Sequence, residues 1–341
     1  MKKKIEEIDF IKGIAIIGVV MVHITAYYLG LPEVDKKTYL FLQQIARYCV
    51  PMFFLLSGLL LFYQYGDEDR FPVKRFYKRR FIYILCPFVF WSLFYICYNW
   101  IVEPGNISSS LRHNITDFLT GKSYYHLYYL FVLFQFYLLM PILFVIHKKT
   151  NHYVLLSVSL ALTVFMQVLV WKDIHTALHF TIDEYTIRKT FLTWIFYFCF
   201  GGVIGCRFDS VKRIIKRIPL FAILTITTVG YVLSIHEVYF HKHDGFYSLP
   251  NTLYSVCLFV LCFKLAGKLK SKGIVLIGKH SFGIYLIHPF IQSMIVHRLG
   301  SYLSTPSIFE LIAFFLFVLF LSLFIDKLLS KVPYSYLIRG K

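Results

Sequence analysis

The chain opens with a long apolar run, residues 8–30, which reads IDFIKGIAIIGVVMVHITAYYLG. A bilayer core about 30 Å thick requires roughly 20 mostly apolar residues for one helical crossing, and this run is long enough. It is continuously apolar, whereas the strands of a membrane barrel alternate apolar and polar residues in pieces of about ten. The beginning of the chain therefore predicts a transmembrane helix.

The remainder of the chain repeats this pattern. Of its 341 residues, 58% are hydrophobic and 16% are charged, and the mean hydropathy of +0.64 is far from that of a soluble globular domain. We predict an all-α integral membrane protein, a bundle of about ten transmembrane helices that forms a single transmembrane domain over residues 1–341. The predicted spans cover residues 8–30, 39–63, 81–101, 125–146, 153–171, 190–206, 218–235, 249–267, 279–298 and 307–329.

The Lys and Arg residues are distributed unevenly between the two sides of the predicted bundle. If the N-terminus is cytoplasmic, 26 of the 36 lie on the inner side and nine on the outer side, with Arg47 inside a helix. Lys and Arg are enriched in the cytoplasmic loops of membrane proteins, where they also attract anionic lipid headgroups. We therefore expect both termini in the cytoplasm, membrane lipids as partners, and no nucleic-acid partner despite the net charge of +18.

Several polar side chains lie within the predicted helices, where a charged group costs at least ~2.5 kcal/mol on insertion scales. Lys12 and His23 are eleven residues apart on the first helix, which places them on one face within about 20° and about 16 Å apart. Arg47 lies at the same predicted depth as His23, so antiparallel neighbouring helices would bring these two side chains together. The other polar side chains that we expect to face a polar cavity are His126, Gln135 and His288.

Each of these residues also has a purely structural interpretation. Lys12 can pair with Asp9 or extend its ammonium group to the membrane surface. His23 and Arg47 can serve helix packing through hydrogen bonds or ion pairs. A basic run precedes the third span, where topology and lipid attraction explain most of the charge and a phosphate-binding site is the functional alternative. This run contains Lys74, Arg75, Lys78, Arg79 and Arg80.

Five short motifs follow one another along the chain. The first is Asp9-Phe-Ile-Lys12-Gly13-Ile-Ala15 with Val22-His23, and the second is Arg47-Tyr-Cys-Val-Pro51-Met-Phe53-Phe54-Leu-Leu-Ser57-Gly58. The basic run comes next, then Tyr125-His126-Leu127-Tyr128, and last Gly278-Lys279-His280-Ser281-Phe-Gly283-Ile-Tyr285-Leu286-Ile-His288-Pro289. In type and order they resemble the motifs of the membrane acyltransferase family that includes bacterial surface-polysaccharide O-acetyltransferases, often called acyltransferase type three.

The resemblance implies a ten-helix fold, a cytoplasmic acyl-CoA donor and an essential histidine on the first helix, which here is His23. It also implies O-acyl transfer to a hydroxyl of a cell-surface or lipid-linked glycan, in the plasma membrane of a bacterium, with acetyl as the default acyl group. The chain departs from the family at two places. The family usually has Arg where this chain has Lys12, and the family's Arg-x-Arg near the third helix is matched by Lys78-x-Arg80.

These residues suggest a mechanism in which His23 is the general base and Arg47 either stabilises developing negative charge or orients the acceptor. We expect no metal site and no tightly bound cofactor, because acetyl-CoA or another acyl-CoA is a substrate. The residues expected to bind the donor are Lys12, Arg75, Lys78, Arg79 and Arg80.

Two other functions remain open at this stage. A glycan exporter or other transporter is the main alternative, because charged residues within the membrane also line transport paths. The absence of visible internal repeats modestly favours the enzyme. The third interpretation is a sensing or scaffolding module in which the polar residues only fix helix packing. The sequence does not determine the acyl group, the acceptor or the oligomeric state.

Overall fold

The computed structural model describes residues 5–32, 34–102, 110–169, 184–241, 246–269, 271–300 and 307–340. Within these ranges all regular secondary structure is helical, and a π-helical segment, Phe81–Leu85, joins α4 to α5. The helices are α1 (Glu6–Leu29), α2 (Lys36–Ala46), α3 (Cys49–Tyr65), α4 (Val73–Arg80), α5 (Cys86–Val102), α6 (Leu111–Leu119), α7 (Tyr128–Lys149), α8 (His152–Val168), α9 (Glu184–Arg188), α10 (Ile195–Cys206), α11 (Phe208–Arg217), α12 (Leu220–His241), α13 (Leu249–Leu269), α14 (Lys272–Lys279), α15 (Ser281–Leu299), α16 (Ile308–Leu329) and α17 (Tyr336–Arg339).

The described helices confirm the all-helical membrane class. Seven are long and apolar enough to cross a bilayer, counting α2 with α3 and α4 with α5 as one span each. Two bent pairs, Phe191–Cys206 with α11 and α14 with α15, raise the number to nine if each pair is one span. The shorter apolar helix α8 coincides with the predicted span 153–171, of which residues 170 and 171 lie outside the described ranges. The count of about ten stays a prediction.

The second predicted span is interrupted where the sequence pattern indicated a continuous helix. Helix α2 ends at its C-cap residue, Arg47, and α3 begins at Cys49. Pro51 supplies the reason, because it has no N–H to donate to the carbonyl of Arg47 four residues earlier. The Tyr48 hydroxyl, at the break, donates to the carbonyl of Ile14 at 2.9 Å and ties this corner to α1. Arg47 therefore lies at a break between two helices.

Close packing between α3 and α10 forms the most extensive contact in the bundle. A Cβ atom on Gly58 would lie 2.0 Å from the carbonyl oxygen of Phe198, and one on Gly201 would lie 2.0 Å from that of Leu55. Membrane helices associate through such small residues, because lipid tails are as apolar as the helices and only close backbone approach adds attraction. The glycines of this interface thus hold the second and sixth predicted spans together.

The end of the chain folds back against the bundle. The Trp91 indole donates to the carbonyl of Ile338 at 3.0 Å, and Arg339 donates twice to the buried carboxylate of Asp326, at 2.7 and 2.8 Å. Gly340 and Lys12 line the same cavity, so the beginning of α1 and the end of the described chain lie at one end of the bundle. Its cytoplasmic location stays a prediction.

Candidate functional site

A narrow cavity of about 210 Å³ follows one face of α1. Lys12, Val19 and His23 line it, at positions separated by seven and four residues. These separations place the three side chains on one face of a helix with 3.6 residues per turn. The helix rise puts about 16 Å between the levels of Lys12 and His23. The helix face that carries Lys12 and His23 therefore lines a cavity.

Two further histidines surround His23. The ring centroid of His288 lies 5.3 Å from that of His23, and the ring of His126 lies 5.8 Å from that of His288. His126 also lines the cavity. Among the described residues, no group of three His, Cys, Asp or Glu side chains has the arrangement to hold a metal ion. The helices α1 and α15, together with the turn before α7, thus bring together three histidines that are far apart in sequence.

The hydrogen bonds of this histidine cluster leave several ring nitrogens available. His288 is fully buried, and its Nδ1 donates to the carbonyl of Ile284 at 3.0 Å, since a carbonyl oxygen can only accept. Its Nε2 and both ring nitrogens of His126 have no hydrogen-bond partner among the described residues. Tyr285 donates through its hydroxyl to the His126 carbonyl at 2.6 Å and fixes that turn. The cluster therefore has ring nitrogens that make no hydrogen bond to the described residues.

The cavity wall contains several hydroxyl groups that the sequence reasoning did not select. Three tyrosines from α7 and one from α15 line it together with two serines. The signal for them was weak, because the chain has 26 tyrosines and the helical positions of these four resemble ordinary core positions. The hydroxyl-bearing lining residues are Ser57, Tyr128, Tyr129, Tyr137, Ser281 and Tyr285.

The basic run before the third span divides into an inward-facing and an outward-facing part. The guanidinium of Arg80 lies 5.0 Å from the ring centroid of Tyr137, which lines the cavity. Its Nε is buried and has no hydrogen-bond partner among the described residues. Arg75 and Lys78 are exposed, and Arg79 is half-buried. Of this run, Arg80 is the residue that the structure brings next to the cavity wall.

Two of the predicted site residues lie in other surroundings. Arg47, 8% exposed, donates to the side-chain carbonyl of Gln43 at 2.7 Å and lies 4.7 Å from the ring centroid of Phe246. Gln135 accepts from the Phe191 backbone at 3.0 Å and donates to the Lys189 carbonyl at 2.6 Å. Neither Arg47 nor Gln135 is among the described residues that line the cavity. The expected approach of Arg47 to His23 stays a prediction.

A buried ion-pair network lies next to Gly340, which lines the cavity. The Asp326 carboxylate, 1% exposed, is shared between Arg339 and the Nδ1 of His280, which lies 2.7 Å away. This network holds Gly340 against the cavity next to Phe282. Sequence reasoning missed it, although an aspartate within the apolar run of α16 was a usable signal, because an acidic group at membrane depth requires a partner.

A second cavity, of about 450 Å³, lies beyond the histidine cluster. Tyr27, one helical turn after His23, lines it, as do Tyr125 and Gln292. The Tyr125 ring centroid lies 4.8 Å from that of His23, and the Gln292 side chain donates to the His23 carbonyl at 3.0 Å. His23 therefore stands between two cavities, which we call the inner cavity, containing Lys12, and the outer cavity, containing Tyr27.

A larger, lysine-rich cavity of about 980 Å³ lies beside the first turn of α1. Lys212 is paired there with Glu7 at 2.5 Å, and Lys264 donates to the carbonyls of Ile215 and Lys216 at 3.1 Å. The described residues also contribute Lys216, Lys268, Lys272 and Lys279 to its wall. It offers a second place at this end of the bundle where an anion could bind.

An all-helical bundle with cavities on both sides of a buried histidine cluster defines a multi-pass membrane protein with an internal polar site. The chain belongs to the acyltransferase family: the model of the type three family, described as an acyltransferase domain, matches residues 5–327. It is accordingly a multi-pass bacterial membrane protein, and the resemblance read from its motifs is confirmed.

The relatives carry two kinds of name. A "Probable poly-beta-1,6-N-acetyl-D-glucosamine export protein" of Staphylococcus aureus (strain MSSA476) is 25% identical over 100% of this chain and 97% of its own length. A protein of Bacillus subtilis (strain 168) named "Putative membrane-bound acyltransferase YfiQ" is 23% identical over 99% of this chain and 95% of its own length. No solved structure gives a significant match.

Proposed function

We propose that this protein transfers an acyl group from a cytoplasmic acyl-CoA to a hydroxyl of a cell-surface glycan. The observation that carries the proposal is the inner cavity, which joins Lys12 at one end of the bundle to His23 about 16 Å away along α1. A pantetheine arm is extended and flexible, so it can span this distance while the nucleotide phosphates of the donor stay near the charged end. The thioester would then lie beside the His23 ring.

His23 is the general base in this proposal. Its neutral imidazole takes the proton of the acceptor hydroxyl as the oxygen attacks the thioester carbonyl, which forms a C–O bond and a tetrahedral intermediate. Collapse of the intermediate breaks the C–S bond, and the thiolate of CoA recovers the proton from the imidazolium. Tyr128 and Tyr129 line the same cavity, and their hydroxyl groups would donate hydrogen bonds to the oxyanion. Arg47 is not among the described residues that line this cavity, so its role in stabilising charge or orienting the acceptor stays a prediction.

The donor phosphates are proposed to bind at the Lys12 end of the inner cavity. Lys12 lines the cavity there, and Arg80 lies beside its wall against Tyr137. Arg75, Lys78 and Arg79 follow the same helix and would add long-range attraction. Charged guanidinium and ammonium groups are the usual partners of phosphate oxygens.

A matched pair of triple variants tests the donor site. We expect Lys78→Ala/Arg79→Ala/Arg80→Ala to weaken acyl-CoA binding at least about tenfold, because each lost phosphate contact is worth about 1 kcal/mol or more. The control, Lys216→Ala/Lys268→Ala/Lys272→Ala, removes three charges from the lysine-rich cavity and should bind acyl-CoA as the unmodified protein does. Binding can be measured by calorimetry on detergent-solubilised protein. Loss of binding in the control alone would move the donor site to the other cavity.

The relatives' names guide the proposed acceptor. Because the relatives from Staphylococcus are named for poly-beta-1,6-N-acetyl-D-glucosamine, we propose a glycan of linked amino sugars as acceptor, and we use short β-1,6-linked oligomers of N-acetylglucosamine as the probe glycan. Acetyl and succinyl are both suitable acyl groups. Mass analysis of the probe glycan after incubation with acetyl-CoA or succinyl-CoA distinguishes them, and the same measurement on cell-surface glycans with and without this protein identifies the natural product.

The direct test of the reaction is removal of the proposed base. His23→Ala should reduce acylation of the probe glycan by about 100-fold or more, on the scale of a lost general base. The control is His113→Ala, because His113 lies on α6 with its side chain 60% exposed and 3.3 Å from Asp117. Acylation at the normal rate by a correctly inserted His23→Ala variant would end the proposal.

Glycan export is the second candidate, since the Staphylococcus relatives are named as export proteins. The two cavities that meet at His23 could serve a path for a glycan as well as a site for chemistry. The two functions differ in product: an exporter moves unmodified glycan into vesicles without consuming acyl-CoA, whereas the enzyme releases CoA. Glycan movement in the absence of any acyl-CoA would favour the exporter.

A further inference from the structure

The outer cavity contains an arrangement of polar atoms that calls for a ligand. Tyr27 lines it one turn beyond His23, so it lies at the end of α1 remote from Lys12. Its lining also includes Asn99 from α5, Ser123 and Tyr125 from the turn before α7, and Gln292 from α15. Four parts of the chain thus converge on one pocket next to the proposed base.

Three of its side chains are buried with an oxygen that has no hydrogen-bond partner. Asn99, Ser123 and Gln292 are 8%, 6% and 8% exposed. Asn99 Oδ1, Ser123 Oγ and Gln292 Oε1 have no partner among the described residues. Leaving a buried polar atom without a hydrogen bond costs about 1–3 kcal/mol. Three such atoms at one cavity therefore indicate a ligand-binding site.

The other ends of the two amides define what the ligand must supply. The Gln292 Nε2 donates to the carbonyl of His23 at 3.0 Å, and the Asn99 Nδ2 donates to the carbonyl of Ser123 at 3.4 Å. With the nitrogens directed to backbone carbonyls, the oxygens remain as acceptors. A ligand that satisfies them must donate hydrogen bonds, as the hydroxyl and amide N–H groups of a sugar do.

Aromatic rings and charge restrict the ligand further. Tyr125 is 43% exposed, and its ring lies 4.8 Å from that of His23, so it offers a flat apolar surface beside the base. Tyr27 and Tyr124 add two more rings to the wall. Lys122 is the one charged side chain among the described lining residues, and its ammonium group lies 5.0 Å from the Tyr185 ring centroid. The wall therefore suits an uncharged ring with apolar faces and hydroxylated edges better than an anion or a lipid tail.

We propose that the outer cavity binds one pyranose unit of the acceptor glycan, with its apolar face on Tyr125 and its hydroxyl or amide donors on Asn99, Ser123 and Gln292. This proposal rests on the proposed function, because the bound ring places a hydroxyl next to His23. Asn99, Ser123 and Gln292 then act as acceptor-binding residues, and Tyr125 is the surface on which the sugar ring packs.

Glycan binding in the absence of acyl-CoA tests the proposal separately from the reaction. The probe glycan is titrated into solubilised protein and followed by calorimetry. Asn99→Leu/Ser123→Ala should weaken binding by about tenfold, the scale of two lost hydrogen bonds. These changes remove two unsatisfied oxygens from the interior, so the variant should fold. Tyr125→Ala should weaken binding similarly, whereas Tyr125→Phe, which keeps the ring, should bind as the unmodified protein does.

The kinetics distinguish failure of this proposal from failure of the proposed function. The outer-cavity variants, Asn99→Leu/Ser123→Ala and Tyr125→Ala, should raise KM for the probe glycan and leave KM for acyl-CoA unchanged. His23→Ala should bind the probe glycan normally and fail to acylate it. Normal glycan binding and acylation by Asn99→Leu/Ser123→Ala and by Tyr125→Ala would overturn the proposed sugar site in the outer cavity and leave the proposed acyltransferase function standing. If the unmodified protein binds neither the probe glycan nor a neutral hexose oligomer, the proposed sugar site is also overturned, whether or not the protein reacts with acyl-CoA.

Discussion

Arg339→Met should destabilise the protein strongly, because it removes the guanidinium that pairs with Asp326. Its guanidinium makes hydrogen bonds of 2.7 and 2.8 Å to both oxygens of Asp326, whose side chain is 1% exposed. Removing one partner of such a pair leaves a buried charge uncompensated, which costs about 3–5 kcal/mol. His280, 2.7 Å from the same carboxylate, keeps part of the compensation, so the lower end of this range is expected.

Equilibrium unfolding in mixed detergent micelles measures this loss, and a double-mutant cycle isolates the pair. Arg339→Met alone should lose about 3 kcal/mol, and adding Asp326→Asn should recover part of the loss, because the charge that lacked a partner is then removed. The coupling energy should be about 1–3 kcal/mol. Additive effects of the two substitutions, or a free energy of unfolding unchanged in Arg339→Met, would refute the interpretation of this network as the fastening of the chain end.

Three other changes probe the packing and the site. Gly201→Ala should hinder the close approach of α3 and α10 and lower the free energy of unfolding by several kcal/mol, whereas Gly267→Ala, whose Cβ meets no atom within 4 Å, should have little effect in the same unfolding assay. Gln135→Leu should cost about 2 kcal/mol of stability because it removes two bonds to backbone groups, and an unchanged unfolding curve would contradict its structural role. His288→Ala should lower kcat for acylation about 10- to 100-fold with little change in acyl-CoA binding, because it removes the ring that packs 5.3 Å from the His23 ring and restricts its orientation, and a normal kcat would exclude this role.

The sequence alone determined the class of the protein and much of its inner cavity. Long apolar runs have one stable outcome in a bilayer, since every backbone polar group must be paired within the segment. The spacing of Lys12 and His23 was sufficient to place both on one face, because residues on one helix have fixed relative positions. His126 and His288 were selected as polar residues of the predicted helices, and the structure places His288 beside His23 and His126 beside His288.

Only the tertiary structure decided which distant residues meet. Arg47 lies at the break before Pro51 and contacts Gln43, four residues earlier on its own helix, and Phe246, and no periodicity in the sequence reveals the second contact. The pairing of Asp326 with Arg339 and the convergence of Asn99, Ser123 and Gln292 depend on how separate helices pack. Helix spacing fixes relations within one segment, whereas relations between segments follow from packing, which a single sequence does not display.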